Sequence, residues 1–205
     1  MDSTPSRICG GRNDEFILLR HLPIKNKPSM PFITLNRETI YRGRAFNVEI
    51  VKLQLPDGKV RAYDLVEHKG AVTIVPVDDA GNILFVRQYR VGAGQELLEL
   101  PAGLLNPDEP HDEAAAREVR EETGMAARQM TLLGNFYLAP GYSSEYMHVY
   151  LATGLHPDPL DQDDDEFLEL VSIPAAEAIR MARGGEIRDG KSLAALMMVE
   201  SYLNL

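Results

Sequence analysis

Cysteine is almost absent from this chain, and long apolar runs are missing. The single cysteine, Cys9, cannot form an internal disulfide, which excludes a disulfide scaffold and agrees with a reducing cytoplasm. No apolar run approaches the roughly 20 residues of a membrane-spanning helix. The N-terminus lacks the basic segment and apolar core of a secretory signal. The sequence therefore predicts a cytoplasmic protein without a membrane partner.

Positive charge is also scarce. The chain has 21 Lys and Arg against 31 Asp and Glu, which gives a formal net charge of −10. Such a surface repels a nucleic-acid backbone, so we expect no nucleic-acid partner. It would repel a phosphate substrate equally. An acidic protein that binds such a substrate needs a cation or a few well-placed arginines at the site.

The organisation of the 205 residues suggests one main domain with an N-terminal appendage. Scattered Pro, Gly, Ser and Asn predict an arm over residues 1–37. Two strand patterns around the turn Pro56–Gly58 predict a small antiparallel sheet over residues 38–68. Residues 69–205 mix strands and helices and should form the main domain. Within it we predict strands at 71–77, 83–88, 97–100, 130–137, 147–152 and 167–173, a loop at 101–103, and helices at 112–122, 175–183 and 193–202.

The segment Arg117–Glu122 carries three carboxylates beside one apolar residue. A helix turns about 100° per residue, so Glu118, Glu121 and Glu122 lie on one face, where uncompensated carboxylates repel each other. Clustered oxygen ligands of this kind suit Mg²⁺ or Mn²⁺. Arg117 stands four residues before Glu121 and can orient its carboxylate. For this segment taken alone, a solvated charged helix face is the alternative.

The wider spacing favours the metal site. From Gly103 to Met125 the sequence reads G-x5-E-x7-R-E-U-x-E-E-x-G-U, where U is a bulky aliphatic residue, and every fixed position is filled. This pattern resembles the Nudix box. The resemblance implies an α+β Nudix fold: an α-β-α sandwich with a mixed sheet between helices, plus the small N-terminal antiparallel sheet. It also implies an enzyme that hydrolyses a nucleoside diphosphate linked to another group.

The same resemblance implies roles for individual residues. Glu121, oriented by Arg117, would assist catalysis, and both are candidate catalytic residues. Leu104 would face the substrate, or it could be a plain core leucine. The metal ion, Mg²⁺ or Mn²⁺, would be held by three groups: the side chains of Glu118 and Glu122 and the main-chain carbonyl of Ala102.

Two further runs, Arg87–Arg90 (RQYR) and Leu98–Gly103 (LELPAG), resemble the ADP-ribose pyrophosphatase group of this family. Arg90 matches an arginine that contacts the substrate in that group, although it could instead only pair with an acid. Pro140, in the turn that follows the box, is associated with the same group. Glu145 in that turn is a candidate catalytic residue that could instead only hydrogen-bond the loop.

An acidic run precedes the strand predicted at 167–173. In the group that the chain resembles, a mobile acidic loop at this place supplies a glutamate that closes over the metal ions. Glu166 is the matching catalytic residue and Asp164 the second choice; a solvated acidic loop is the alternative. The resemblance also implies a homodimer formed through the N-terminal arm and hairpin, which relatives commonly exchange between subunits.

A competing motif lies near the other end of the chain. Gly185–Ser192, GEIRDGKS, fits the phosphate-binding loop of many nucleotide hydrolases. Such a loop must follow a buried strand near the start of a parallel sheet, whereas this one follows a predicted helix. We therefore interpret it as a turn and a helix N-terminus at Lys191 and Ser192.

Together these patterns predict a Mg²⁺- or Mn²⁺-dependent nucleoside-diphosphate-sugar hydrolase that converts ADP-ribose to AMP and ribose 5-phosphate. Other sugar nucleotides, such as GDP-mannose or ADP-glucose, or a dinucleotide are alternative substrates. A Nudix-like sensor that holds a nucleotide without cleaving it is a further alternative. The retention of Glu118, Glu121 and Glu122 favours the enzyme.

Overall fold

The computed structural model describes residues 31–161 and 167–203. Of the helices in this part of the chain, none is both long and apolar enough to cross a membrane. The elements in chain order are β1 (Ile33–Arg42), β2 (Phe46–Gln54), β3 (Val60–His68), β4 (Ala71–Pro76), β5 (Asn82–Arg90), β6 (Gln95–Glu99), β7 (Ala102–Leu104), α1 (His111–Thr123), β8 (Met125–Tyr137), β9 (Tyr146–Pro157), β10 (Glu169–Pro174), α2 (Ala175–Arg183) and α3 (Gly190–Val199), with a 3-10 turn at Glu200–Tyr202. The strands form sheets with the orders β1-β2-β3, β7-β4-β9-β8 and β10-β5-β6.

The four-stranded sheet lies between two helical layers. Its strand β4 is buried along its whole length and pairs in parallel with β9 and antiparallel with β7, as expected for a strand covered on both faces. Successive residues point to opposite faces. Ile74 and Tyr150 pack with α1, whereas Val75 and Leu151 pack with α2 and α3. The predicted α-β-α sandwich around a mixed sheet is confirmed.

Helix α1 approaches the sheet closely because its inner face is small. Ala114, Ala115 and Val119 are fully buried and pack against β4 and β9. The helix ends at Gly124, whose left-handed conformation (φ 71°) lets its N–H donate to the carbonyl of Arg120. The spacing of the small residues and the final glycine thus fixes both the depth and the end of the helix.

The three-stranded N-terminal sheet is antiparallel, as predicted, and is joined to the rest of the chain by more than the β3–β4 connection. The N–H of Val66 in β3 donates to the carbonyl of Tyr142 at 2.8 Å, and the N–H of Ser144 donates to the carbonyl of Val66 at 3.0 Å. The sheet therefore holds the β8–β9 turn, which contains Pro140 and Glu145.

Two strands, β7 and β1, were not predicted from the sequence. The loop predicted at 101–103 is wrong, because Ala102–Leu104 form β7 and pair with β4. Three residues that include a glycine carry no strand pattern of their own, and the partner is distant in sequence. β1 begins at Ile33, within the predicted arm, and crosses the boundary placed between residues 37 and 38. Its register with β2 shifts twice, which obscures the alternation that would identify a strand.

Neighbouring residues of α3 provide a test of this packing. Leu196 is fully buried in the core against α2 and the sheet, whereas Met197 is 72% exposed. We expect Leu196→Ala to lower the free energy of unfolding by about 2–5 kcal/mol, because it leaves a cavity in the core. Met197→Ala, the matched control on the same helix, should change it by less than about 0.5 kcal/mol. Urea denaturation measures both, and equal losses would contradict the placement of α3.

Candidate active site

The carboxylates of α1 that the sequence singles out are buried. Glu118 is 7% exposed and Glu122 is 4% exposed. They lie one helical turn apart on the buried side of α1, next to Ala114 and Ala115. A solvated charged helix face is therefore the wrong interpretation of this segment. Burying carboxylates costs free energy unless their charge is compensated, so the groups around them are informative.

Strand β7 lies directly against Glu118. A Cβ atom placed at Gly103 would stand 1.9 Å from Oε1 of Glu118 and 2.0 Å from its Cδ, so a larger residue cannot occupy this position without displacing the carboxylate. The N–H of Ala102 donates to Oε2 of Glu122 at 3.2 Å. The carbonyl of the preceding Pro101 accepts from the N–H of Ile74 at 2.9 Å. The backbone of β7 is thus fixed beside both carboxylates.

Arg117 connects three carboxylates. Its Nη1 donates to Oε1 of Glu118 and to Oε2 of Glu121, both at 2.7 Å. Its Nε and Nη2 donate to Oε1 and Oε2 of Glu109 at 2.9 and 3.0 Å. Nη2 also donates to the carbonyl of Leu104 at 3.2 Å. The predicted orientation of Glu121 by Arg117 matches these contacts, but the same guanidinium also holds Glu109 and Glu118, which sequence reasoning did not assign to it.

Arg117 and Glu109 shift each other's pKa. Hydrogen bonds from Arg117 are the largest cause that lowers the pKa of Glu109 to about 2, and the N–H of Asn106 contributes to it. The pKa of Arg117 is raised, first by its hydrogen bonds to Glu109 and then by Glu118 and Glu121. Glu109 and Arg117 therefore stay charged at neutral pH. The signal in the sequence was the fixed E-x7-R spacing, with seven residues between Glu109 and Arg117.

The donor set at α1 and β7 fits a divalent cation of the Mg²⁺ type. Within residues 31–161 and 167–203, no three His, Cys, Asp or Glu side chains form a metal-binding group. The predicted set needs only two such side chains, Glu118 and Glu122, together with the carbonyl of Ala102. These are hard oxygen ligands held against a rigid backbone, which Mg²⁺ and Mn²⁺ accept.

Arg90 forms the acid pair that the sequence left open. Its Nε and Nη2 donate to the two carboxylate oxygens of Glu99, each at 2.8 Å. The side chain of Arg90 is nevertheless 41% exposed, while that of Glu99 is 1% exposed. The hydrogen bonds that Arg90 donates to Glu99 raise the pKa of Arg90 most, and the charges of Glu99, Glu122 and Asp189 add to this. Arg90 is thus both anchored to an acid and within electrostatic reach of the carboxylate site.

The remaining predicted site residues that the structure describes take no part in the Arg117 and Arg90 contacts through their side chains. Leu104 is 38% exposed, so it is not a core leucine. Glu145 is half-buried, and its carboxylate has no hydrogen bond or ion pair within the described residues. Its main chain closes the turn, since Leu138 N–H donates to its carbonyl at 3.1 Å. Glu166 and Asp164 lie outside the described residues.

A surface cavity with a volume of about 530 Å³ lies elsewhere. It is formed where the β1–β2 turn meets the end of β3, and Arg42, Arg44, Phe46 and Lys69 are among its lining residues. The lining includes no residue of α1 or β7. The carboxylate site is therefore the surface between α1 and β7 and not this cavity.

Comparison with known proteins agrees with this geometry. The model of the NUDIX domain family matches residues 67–196. An ADP-ribose pyrophosphatase of Mycobacterium tuberculosis is 40% identical over 173 residues, 83% of this chain and 84% of that protein. An ADP-ribose pyrophosphatase of Bacillus subtilis is 32% identical over 169 residues, 82% of this chain and 91% of that protein. A crystal structure of an ADP compounds hydrolase superposes with a TM-score of 0.77 at 33% identity, and the match covers 87% of this chain and 97% of that one. The chain belongs to the Nudix family and is a Nudix pyrophosphohydrolase, which confirms the family and the enzyme class predicted from the sequence.

Proposed function

We propose that this enzyme hydrolyses the pyrophosphate of a nucleoside diphosphate sugar, and that its substrate is ADP-ribose. Addition of one water gives AMP and ribose 5-phosphate. The observation that carries the proposal is the pair of buried carboxylates, Glu118 and Glu122, held against the backbone of β7. Relatives from two bacteria that match more than four fifths of the chain are ADP-ribose pyrophosphatases, which supports the choice of sugar nucleotide.

The reaction is proposed to depend on Mg²⁺ or Mn²⁺. Glu118, Glu122 and the carbonyl of Ala102 would hold the ion, and an ion bound there neutralises pyrophosphate oxygens and lowers the pKa of a bound water. This need is strong in a chain with a net charge of −10, because the acidic site alone would repel the substrate. Arg90 would supply positive charge within electrostatic reach of Glu122.

The other candidate site residues are assigned roles according to the groups that each can contact. Arg90 would bind a phosphate oxygen, since its Nη1 has no hydrogen-bond partner within the described residues, whereas Nε and Nη2 are used by Glu99. Leu104, exposed at the end of β7, would contact the substrate. Glu121, held by Arg117, would assist the metal ligands. Glu166 would accept the proton of the attacking water on its carboxylate.

A homodimer formed through the N-terminal sheet is part of the proposal. The first strand exposes several large apolar side chains, including Ile33 (47%), Leu35 (51%) and Ile40 (57%). An apolar strand at the edge of a sheet is a surface that another chain can cover. A second copy of this chain fits the exchange of N-terminal segments that the resemblance implies.

The oligomeric state tests that part of the proposal. Light scattering of the purified protein should give twice the 22.8 kDa mass of one chain. Ile40→Glu should shift the population toward the single-chain mass, because the charge would be buried between copies. Glu38→Gln, a polar change on the same strand, is the control and should leave the mass unchanged. A wild-type protein that has the mass of one chain at micromolar concentration would contradict the dimer.

The activity is tested with a panel of ADP-ribose, ADP-glucose, GDP-mannose and a dinucleotide, each with Mg²⁺, with Mn²⁺ and with chelator. We expect AMP and ribose 5-phosphate from ADP-ribose, faster than products from the other compounds, and only with a metal ion. Glu122→Gln should fold normally but lower kcat by about 100-fold or more, since transition-state charge is no longer stabilised. Glu113→Gln, on the exposed face of the same helix, is the matched control. Full activity of Glu122→Gln would refute the metal site.

The assignment of the proton acceptor is tested separately. Glu166→Gln should lower kcat by about 100-fold, within the range expected for loss of a general base, and change KM far less. Asp164→Asn, two residues away in the same acidic run, should keep kcat within about three-fold of the wild type. If Asp164→Asn shows the larger loss, the base is Asp164. If Glu166→Gln changes only KM, the role of Glu166 as base is wrong.

A further inference from the structure

The segment that imitates a phosphate-binding loop has a different place in the fold. Gly185–Ser192 follows α2, and its end opens α3. Lys191 is 8% exposed and Ser192 is fully buried. In a phosphate-binding loop these two side chains would face a nucleotide. Here they face the protein interior, so their buried polar groups need another explanation.

Lys191 faces a buried carboxylate, that of Glu99 at the end of β6. The Nζ of Lys191 forms an ion pair with Oε2 of Glu99 and a second one with Oδ2 of Asp189, at 2.9 Å. Oε2 of Glu99 also accepts from Nη2 of Arg90, and Oε1 accepts from its Nε. One buried carboxylate is thus shared by two cations, one of which is the exposed arginine of the substrate site.

The negative charge of Asp189 is partly compensated by the N-terminus of α3. Asp189 is the N-cap of this helix: its Oδ2 accepts from the N–H of Ser192 at 2.9 Å and from its hydroxyl at 2.6 Å. The N-terminus of a helix carries roughly half a positive charge and stabilises such an anion. Lys191 therefore remains available to compensate Glu99, and Glu99 does not cancel the charge of Arg90 by itself.

The same helix end fixes the backbone next to Glu99. The hydroxyl of Ser192 accepts from the N–H of Leu100 at 2.8 Å, and both groups are buried. The next residue, Pro101, has its carbonyl bound by Ile74 N–H and by Thr73 Oγ1 at 3.2 Å. Glu99 therefore has little freedom to follow Arg90, and the position of the guanidinium is set by α3.

We propose that Lys191 is a positioning residue for substrate binding: through Glu99 it holds the Arg90 guanidinium in place with an excess of positive charge toward the pyrophosphate. The inference rests on the proposed function, because it assigns Arg90 to an anionic substrate. Removal of Lys191 leaves Arg90 and Glu99 as a neutral pair, in which the carboxylate competes with the substrate for the guanidinium. Binding of the anion should weaken more than the chemical step slows.

The first measurement compares Lys191→Met with Lys59→Met. Lys59→Met removes the same charge from the chain, but Lys59 pairs with Asp57 in the exposed β2–β3 turn. Lys191→Met should raise KM for ADP-ribose about ten-fold and change kcat by less than about three-fold, whereas Lys59→Met should change neither. An unchanged KM for Lys191→Met overturns the inference. If this variant does not fold, Lys191→Gln replaces it, because its amide still donates to Glu99 without the charge.

A double-mutant cycle separates this role from simple support of the fold. In a Glu99→Gln background, Lys191→Met should change KM by less than about two-fold, because the charge through which Lys191 acts is already absent. The same factor in both backgrounds would show that Lys191 acts through the fold and would overturn the inference.

A binding measurement keeps the inference distinct from the proposed function. If the wild type hydrolyses none of the panel, the proposed function fails, and calorimetry with inorganic pyrophosphate and Mg²⁺ then decides. Affinity about ten-fold weaker for Lys191→Met than for Lys59→Met supports the positioning role. Equal affinities, or no binding by the wild type, overturn it.

Discussion

The contact between the Glu118 carboxylate and the bare backbone of Gly103 is the constraint on which the site depends. The carboxyl group occupies the volume where any side chain at position 103 would begin. This contact requires β7 to pair with β4, since Val72 and Gly103 are partners in that register. It also requires α1 to lie deep on the sheet, which its small inner residues permit. A glycine, a short strand and an alanine-rich helix face therefore produce one arrangement, in which Glu118 and Glu122 lie against the main chain of β7.

Such an arrangement gathers like charges, and the fold compensates them locally. Arg117 bonds Glu109, Glu118 and Glu121 at once, so a single guanidinium, with its planar set of donors, offsets three carboxylates that would otherwise repel each other. Glu122 accepts a main-chain N–H. Removal of one partner from a network of this kind leaves a buried charge without compensation, which costs more than the pair contributes. This explains why the spacing of the box includes Glu109 and Arg117, which are not among the proposed metal ligands.

The elements that local pattern determines were predictable from the sequence, and the long-range contacts were not. Helix α2 has the predicted bounds, and α1 extends the prediction by one residue at each end, because apolar spacing and a terminal glycine define them. The shared face of Glu118 and Glu122 follows from helix geometry alone. β7 was missed because its only signal is its partner β4. The pairing of Arg90 with Glu99 was left open, although an acid set between Leu98 and Leu100, where the chain becomes buried, is itself a signal that a cation must approach it.

The failed phosphate-loop motif illustrates how one physical device serves two purposes. A lysine and a hydroxyl residue at a helix N-terminus favour an anion, since the helix dipole, the N–H groups of the first turn and the ammonium all stabilise negative charge. In this chain the anions are the carboxylates of Asp189 and Glu99. The motif therefore correctly predicts a bound anion but wrongly indicates that this anion is a phosphate. Context distinguishes the two cases: a helix that precedes the motif and a buried acidic residue in a neighbouring strand turn a ligand site into a structural one.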